Sequence, residues 1–187
     1  MTPLLATFAG GSTGEWLVER LEAVAGESLP PVARVAVVEG RDDAPSGDSA
    51  WVLRGVTSNE RYVERREREL LTAREAPLGR SGATRAALIP VRKSEEWWEL
   101  AQNERREIFE ERSHHIGVGA RYLPAIARRL HHSRDLGEPF DFLTWFEYSP
   151  ADANAFEELV GLLRDTPEWT YIEREVDIRL RRQPTEG

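Results

Sequence analysis

Cysteine is absent from this chain of 187 residues. That absence removes disulfides, thiolate nucleophiles, iron–sulfur clusters and any thiolate-held cofactor. Long hydrophobic runs are missing as well. The opening MTPLLATFAGG has no basic segment ahead of an apolar core, as a secretory signal would, and nothing later approaches a membrane span. A cytoplasmic location with no membrane partner is the expectation. An excess of positive charge is the third absence: 25 Lys and Arg stand against 33 Asp and Glu, a net charge of −8. A general nucleic-acid binder must neutralise phosphates, so that class is excluded. A small anionic substrate would have to be drawn by a local basic pocket and not by the overall field.

What is present describes a packed protein. Apolar residues make up 40% and charged residues 31%, and six Trp, six Phe and four Tyr supply bulk that a solvated tail lacks. The length suits one domain or two small fused halves.

Strand and helix signals alternate along the chain. LLATFAG reads as a strand. EWLVERLEAVAG, with Trp16, Leu17, Leu21 and Val24 at helical spacing, reads as a helix. ARVAVVEG and SAWVLRGV read as strands around a loop at 42–49, RYVERRERELLTARE as a charged helix, and TRAALIPV as a buried strand. Residues 1–93 thus give β-α-β-β-α-β, the ferredoxin-like plan. From 94 to 187 the amphipathic SEEWWELAQNERREIFEERSHHIGVGARYL reads as connector helices, followed by AIARRLHHS, DFLTWFEYS, ANAFEELVGLLRD and EVDIRLRR as strand, strand, helix, strand. The expected fold class is α+β, two ferredoxin-like halves forming an antiparallel β-barrel-like core with helices outside.

Histidine is the remaining strong ligand type, and only four occur. On a continuous helix His115 shares a stripe with Ile108, Arg112, Gly119 and Tyr122, whereas His114 falls beside Glu107, Glu110 and Glu111 and reads as solvated. Gly117 and Gly119 leave little bulk beside His115, as a flat porphyrin edge requires, although glycines also merely loosen a helix. Strand alternation puts Arg128, Leu130 and His132 on one face and Arg129 and His131 on the other. An inward arginine needs an anionic partner, which a substrate, a propionate or a structural carboxylate can each supply. An imidazole holding iron from one side and a guanidinium on the other is an arrangement that suits haem. A lone histidine is, however, more often structural than a ligand.

The run from IFEERSHH through YLPAIARRLHHSRDLGEPFDFLTWFEY, with ALIPVRKSEEWW before it and Glu168 after it, resembles the haem-binding core of the chlorite dismutases. It looks most like their short, dimer-forming branch, and the resemblance runs from about residue 51 to the C-terminal strand. It implies haem b (iron protoporphyrin IX) with His115 as proximal iron ligand, Glu168 accepting the other imidazole N–H, and Arg128 as the distal arginine. It sets Lys93 beside a propionate, Asn59 and Tyr62 at the same haem edge, and the pair Trp97 and Trp98 beside the pocket. Short members carry a distal glutamine, whereas here Gln occurs only at 102 and 183, and Glu75 is the nearest counterpart.

The implied reaction converts chlorite to chloride and dioxygen. Cl–O cleavage gives a ferryl species and hypochlorite, which recombine with O–O bond formation. Relatives of the same fold leave a haem peroxidase, a coprohaem decarboxylase-like enzyme or a non-catalytic haem-binding stress-response module as alternatives. Arg128 argues against the decarboxylase. The partners implied are a small anionic substrate (chlorite) and a second copy of the chain as a homodimer.

Overall fold

The computed structural model describes residues 4–40, 48–57 and 77–183. Eight strands, β1 (Leu4–Gly11), β2 (Trp16–Ala25), β3 (Arg34–Glu39), β4 (Ser49–Thr57), β5 (Arg85–Lys93), β6 (Ala127–His132), β7 (Phe142–Tyr148) and β8 (Ile172–Arg182), form a closed barrel. Their order around it is β1-β3-β2-β8-β5-β7-β6-β4. Every pairing is antiparallel. Strand β8, last in sequence, sits between β2 and β5, so strands from before and after residue 93 share one sheet.

Alternation along the strands separates two apolar layers. Leu88, Leu143, Trp145, Val176, Ile178 and Leu180 pack inward with Phe8, Trp16 and Leu53. Ala87, Ile89, Val91, Phe146 and Tyr148 point outward under Phe156, Leu159, Val160 and Leu163 of the one long described helix, α4 (Ala153–Arg164). Burial on both faces explains why β5 is apolar without interruption. Each large side chain so removed from water contributes roughly 1.5–3 kcal/mol.

The connector is helical but broken. Helices α1 (Glu95–Glu99) and α2 (Gln102–Arg106) run into a π-helical turn, Glu107–Arg112, before α3 (His115–Ala120). His114 interrupts it in the left-handed region, φ 50°. The stripe expected for one continuous helix therefore does not exist: Arg112 is exposed and belongs to the turn before the break. His114 is exposed, as expected.

One expected helix is a strand. The segment read as helical from Trp16, Leu17, Leu21 and Val24 is β2, which pairs with β8 along most of its length. The register shifts between Val18 and Arg20, so Val18 faces Leu180 and Leu21 faces Ile178. This bulge stretches the spacing of inward residues from two to three and imitates a helical period. The helix read over RYVERRERELLTARE lies at 61–75, outside the described residues, as do Asn59, Tyr62 and Glu75.

Candidate haem and anion site

Val118 of α3, Tyr122 and Ile126 after it, and Trp169 of the 3₁₀ turn Pro167–Tyr171 pack with the outward residues of β5 and β7. The turn puts Glu168 against His115. Glu168 is 3% exposed, and its backbone N–H donates to Ser113 Oγ at 3.0 Å, which ties the turn to the break before α3. His115 Nδ1 lies 2.8 Å from Glu168 Oε2. A carboxylate there favours the Nδ1–H tautomer and leaves Nε2 with its lone pair free for a metal. The imidazole is stacked by Phe109, with centroids 4.5 Å apart, and more loosely by Trp169 at 6.5 Å. Glu110 Oε2 accepts the Ile116 N–H at 2.8 Å and so holds the first turn of α3.

The second oxygen of Glu168 is also engaged. Lys93, the last residue of β5, places Nζ 2.5 Å from Glu168 Oε1, and both side chains are about 5% exposed or less. Burial pushes the Glu168 carboxyl up, but attraction to His115 and Lys93 and the hydrogen bonds from both outweigh it and hold the group down at about 2. Burial lowers the Lys93 ammonium against the pull of Glu168. The ammonium also sits 3.3 Å from the centre of the Trp97 ring. Trp97 is fully buried, and its Nε1 has no hydrogen-bond partner among the described residues.

Lys93, Trp97, His115 and Glu168 are thus brought together, and Trp98 stands beside them. Its Nε1 donates to Asp141 Oδ2 at 3.2 Å, and the same oxygen accepts the Lys93 backbone N–H at 2.7 Å. The guanidinium of Arg134 covers the Trp98 ring at 4.0 Å.

Arg128 stands on β6, against α3. It pairs across the sheet with Phe146, which faces the helices. Arg129 and His131 are the residues of β6 that line the barrel interior. The split into two faces agrees with the sequence, but the face of Arg128 is the outer one, so this arginine is not in the barrel interior. Its Nη1 lies 3.9 Å from where a Cβ on Gly119 would be, across from the helix that carries His115.

Several site residues had no signal in the sequence. Asp141, Ser113 and Trp169 touch the site only because β7, the break before α3 and the 3₁₀ turn converge. Trp169 Nε1 donates to Glu175 Oε2 at 2.8 Å, and Glu175 is in turn held by Arg164 of α4. No group of three or more His, Cys, Asp or Glu able to hold a bare ion occurs among the described residues. One imidazole with its other nitrogen fixed suits a metal whose remaining ligands come from a macrocycle.

Comparison with known proteins agrees with this reading of the fold. Residues 44–183 match the family model described as chlorite dismutase. The chain is 58% identical to a dimeric chlorite dismutase from Nitrobacter winogradskyi, with a TM-score of 0.88 over 95% of this chain and 99% of that one. A chlorite dismutase of Candidatus Nitrospira defluvii, solved in complex with imidazole, superposes with a TM-score of 0.67 at 21% identity over 95% and 90% of the two chains, a likeness of fold alone. The chlorite dismutase of Ideonella dechloratans is 35% identical over 100 residues, which span 50% of this chain and 33% of that protein. By the match over most of its length and by its barrel, the chain belongs to the chlorite dismutase family.

Proposed function

We propose that this chain is a haem b enzyme that converts chlorite to chloride and dioxygen. The observation that carries the reading is the buried arrangement in which Lys93 and His115 share the two oxygens of Glu168.

The residues present fit the group. His115 would hold the iron through Nε2. The partnerless indole N–H of Trp97 is a buried donor that an acceptor at the edge of the macrocycle would satisfy. A Cβ on Gly117 or Gly119 would stand at ordinary van der Waals distance from Glu110 Oε1, 4.0 Å, and Arg128 Nη1, 3.9 Å, so only side-chain ends face this side of α3. Were a flat ring to enter between Gly119 and Arg128 it would need about 7 Å, two van der Waals contacts, and Arg128 would have to turn away from α3. Lys93, Trp97 and Trp98 would border the haem; the family resemblance adds Asn59, Tyr62 and Glu75, which lie outside the described residues.

Bound haem would supply the redox-active iron for the conversion of chlorite to chloride and dioxygen. The protein does the rest. Glu168, ionised at neutral pH, accepts a hydrogen bond from His115 Nδ1–H and makes Nε2 a stronger donor, while Lys93 keeps the carboxylate from taking that proton outright. Arg128, always cationic, holds an anionic oxychlorine species close for recombination. The reading includes a homodimer in the cytoplasm. The dimeric Nitrobacter relative supports the dimer, and no described helix is long and apolar enough to cross a membrane.

The test is oxygen evolution from chlorite by haem-reconstituted protein, with an absorption spectrum taken first and His115→Ala as control. Prompt oxygen, lost in the variant, supports both ligand and reaction. A haem spectrum without oxygen overturns the dismutase reading, and no haem uptake overturns the role of His115.

A further inference from the structure

A second buried carboxylate stands behind the first. Glu175 of β8 is 1% exposed, and both of its oxygens are held. Oε1 accepts from Arg164 Nε at 2.8 Å and Nη2 at 2.6 Å, and Oε2 accepts the Trp169 indole N–H at 2.8 Å. Glu168 is held in the same manner, between Lys93 and the His115 imidazole. The two rings bound to these carboxylates, Trp169 and His115, lie within 20° of parallel.

An ionic chain continues behind Glu175. Arg164 Nη2 also donates to Asp177 Oδ2 at 2.9 Å, Asp177 accepts from Arg179, and Arg179 reaches Glu157 on α4. Buried ion pairs are weak evidence for stability, since apolar residues of similar volume often serve as well. An apolar residue at 175 could not, however, accept the indole N–H. Arg164 ends α4 and Glu175 lies within β8, so the acceptor is anchored to the two elements that flank the 3₁₀ turn. Trp169 follows Glu168 directly in that turn.

The hydrogen bond from His115 Nδ1 to Glu168 fixes one edge of the imidazole and leaves the ring free to tilt about that bond. Rings packed against it oppose the tilt, and two do so, Phe109 and Trp169, with planes 23° and 20° from its own. Phe109 has no polar group to hold it in place. The Trp169 indole is pinned at Nε1. We infer that Trp169, pinned by Glu175, is a positioning residue for the axial ligand, setting the plane of the His115 ring and keeping Nδ1–H aimed at Glu168. The inference rests on the reading that His115 holds haem iron. Trp169→Phe keeps a ring and loses the pin, while Glu175 keeps Arg164. The bond from His115 to Glu168 then weakens, Nε2 becomes a poorer donor and the ferric state loses ground.

The experiment is spectroelectrochemical titration and electron paramagnetic resonance of the haem-loaded protein, parent and variants side by side. Trp169→Phe should shift the ferric/ferrous equilibrium toward ferrous about threefold or more, about 28 mV upward at 59 mV per tenfold change. The rhombic splitting of the ferric signal, which follows the imidazole plane, should change with it. Glu175→Leu should act in the same direction, and the double variant should shift no further than either alone. A role confined to stability would lower the urea midpoint and leave both readings at the parent's values. Parent-like readings in Trp169→Phe, or shifts that add in the double variant, overturn the positioning role alone. Failure of the parent to take up haem overturns the reading beneath it as well. Should Glu175→Leu fail to fold, Trp169→Phe decides the matter.

Discussion

Lys93 and His115 meet on opposite oxygens of one buried carboxylate, at 2.5 and 2.8 Å from Glu168. The cation and the imidazole therefore compete for the same negative charge. Whatever strengthens one contact drains the other.

That competition predicts the effect of Lys93→Met on a bound haem. Without the ammonium, Glu168 accepts the His115 N–H more strongly, the imidazole becomes more anionic, and the ferric state gains. The ferric/ferrous midpoint should fall by tens of millivolts, on the scale where a tenfold change in a one-electron equilibrium is 59 mV. Spectroelectrochemical titration reads it, and an unchanged or raised midpoint contradicts the competition.

Glu168→Gln leaves the Lys93 ammonium buried without its counter-ion. Breaking one side of a buried pair costs about 3–5 kcal/mol. Lys93→Met combined with Glu168→Gln should recover much of that loss, giving clear non-additivity in urea unfolding. Losses that simply add would show that the two side chains do not depend on each other.

Arg128→Ala should keep haem bound through His115 while releasing more oxidant. Oxygen per chlorite should drop and a chlorination trap should report more hypochlorite. Unchanged turnover with no added leakage would remove Arg128 from the reaction.

Acid should destabilise the fold in two windows. Burial lowers His131 to about 4 from its usual 6.5, so between those values the unfolded chain binds a proton that the folded chain refuses, and stability falls as pH falls. The loss amounts to about 3 kcal/mol at most. Glu168, held at about 2 against an ordinary 4.5, contributes stability that is full above pH 4.5 and disappears as pH falls towards 2. His131→Gln should flatten the unfolding free energy between pH 6.5 and 4. A slope there as steep as the parent's would locate the titrating group elsewhere.

Seven of the eight strands, and the helix α4, follow from local pattern, because alternating or continuous apolar runs can be buried only in those forms. Strand β2 was hidden because its bulge spaces the inward residues Val18 and Leu21 by three, and its partner β8 lies at the far end of the chain. The break at His114 was hidden because nothing in the neighbouring side chains demands a left-handed residue there. His115, Arg128 and Glu168 stand out through resemblance, not through spacing, and the structure shows His115 and Glu168 in contact. The tie between Lys93 and Glu168 joins residues 75 apart in sequence, so no local signal carries it.

By itself the sequence determined the chemistry available: no thiol, few imidazoles, an acidic balance, and enough apolar periodicity to close a sheet. It also determined which residues of β6 share a face, because alternation is a local property of an extended backbone. Only the tertiary structure decided which of those faces meets the helices and which meets the barrel interior. It also decided that Lys93, Trp97, His115 and Glu168 share one buried point. Those outcomes depend on barrel closure, which sets contacts between distant segments that local propensity does not encode.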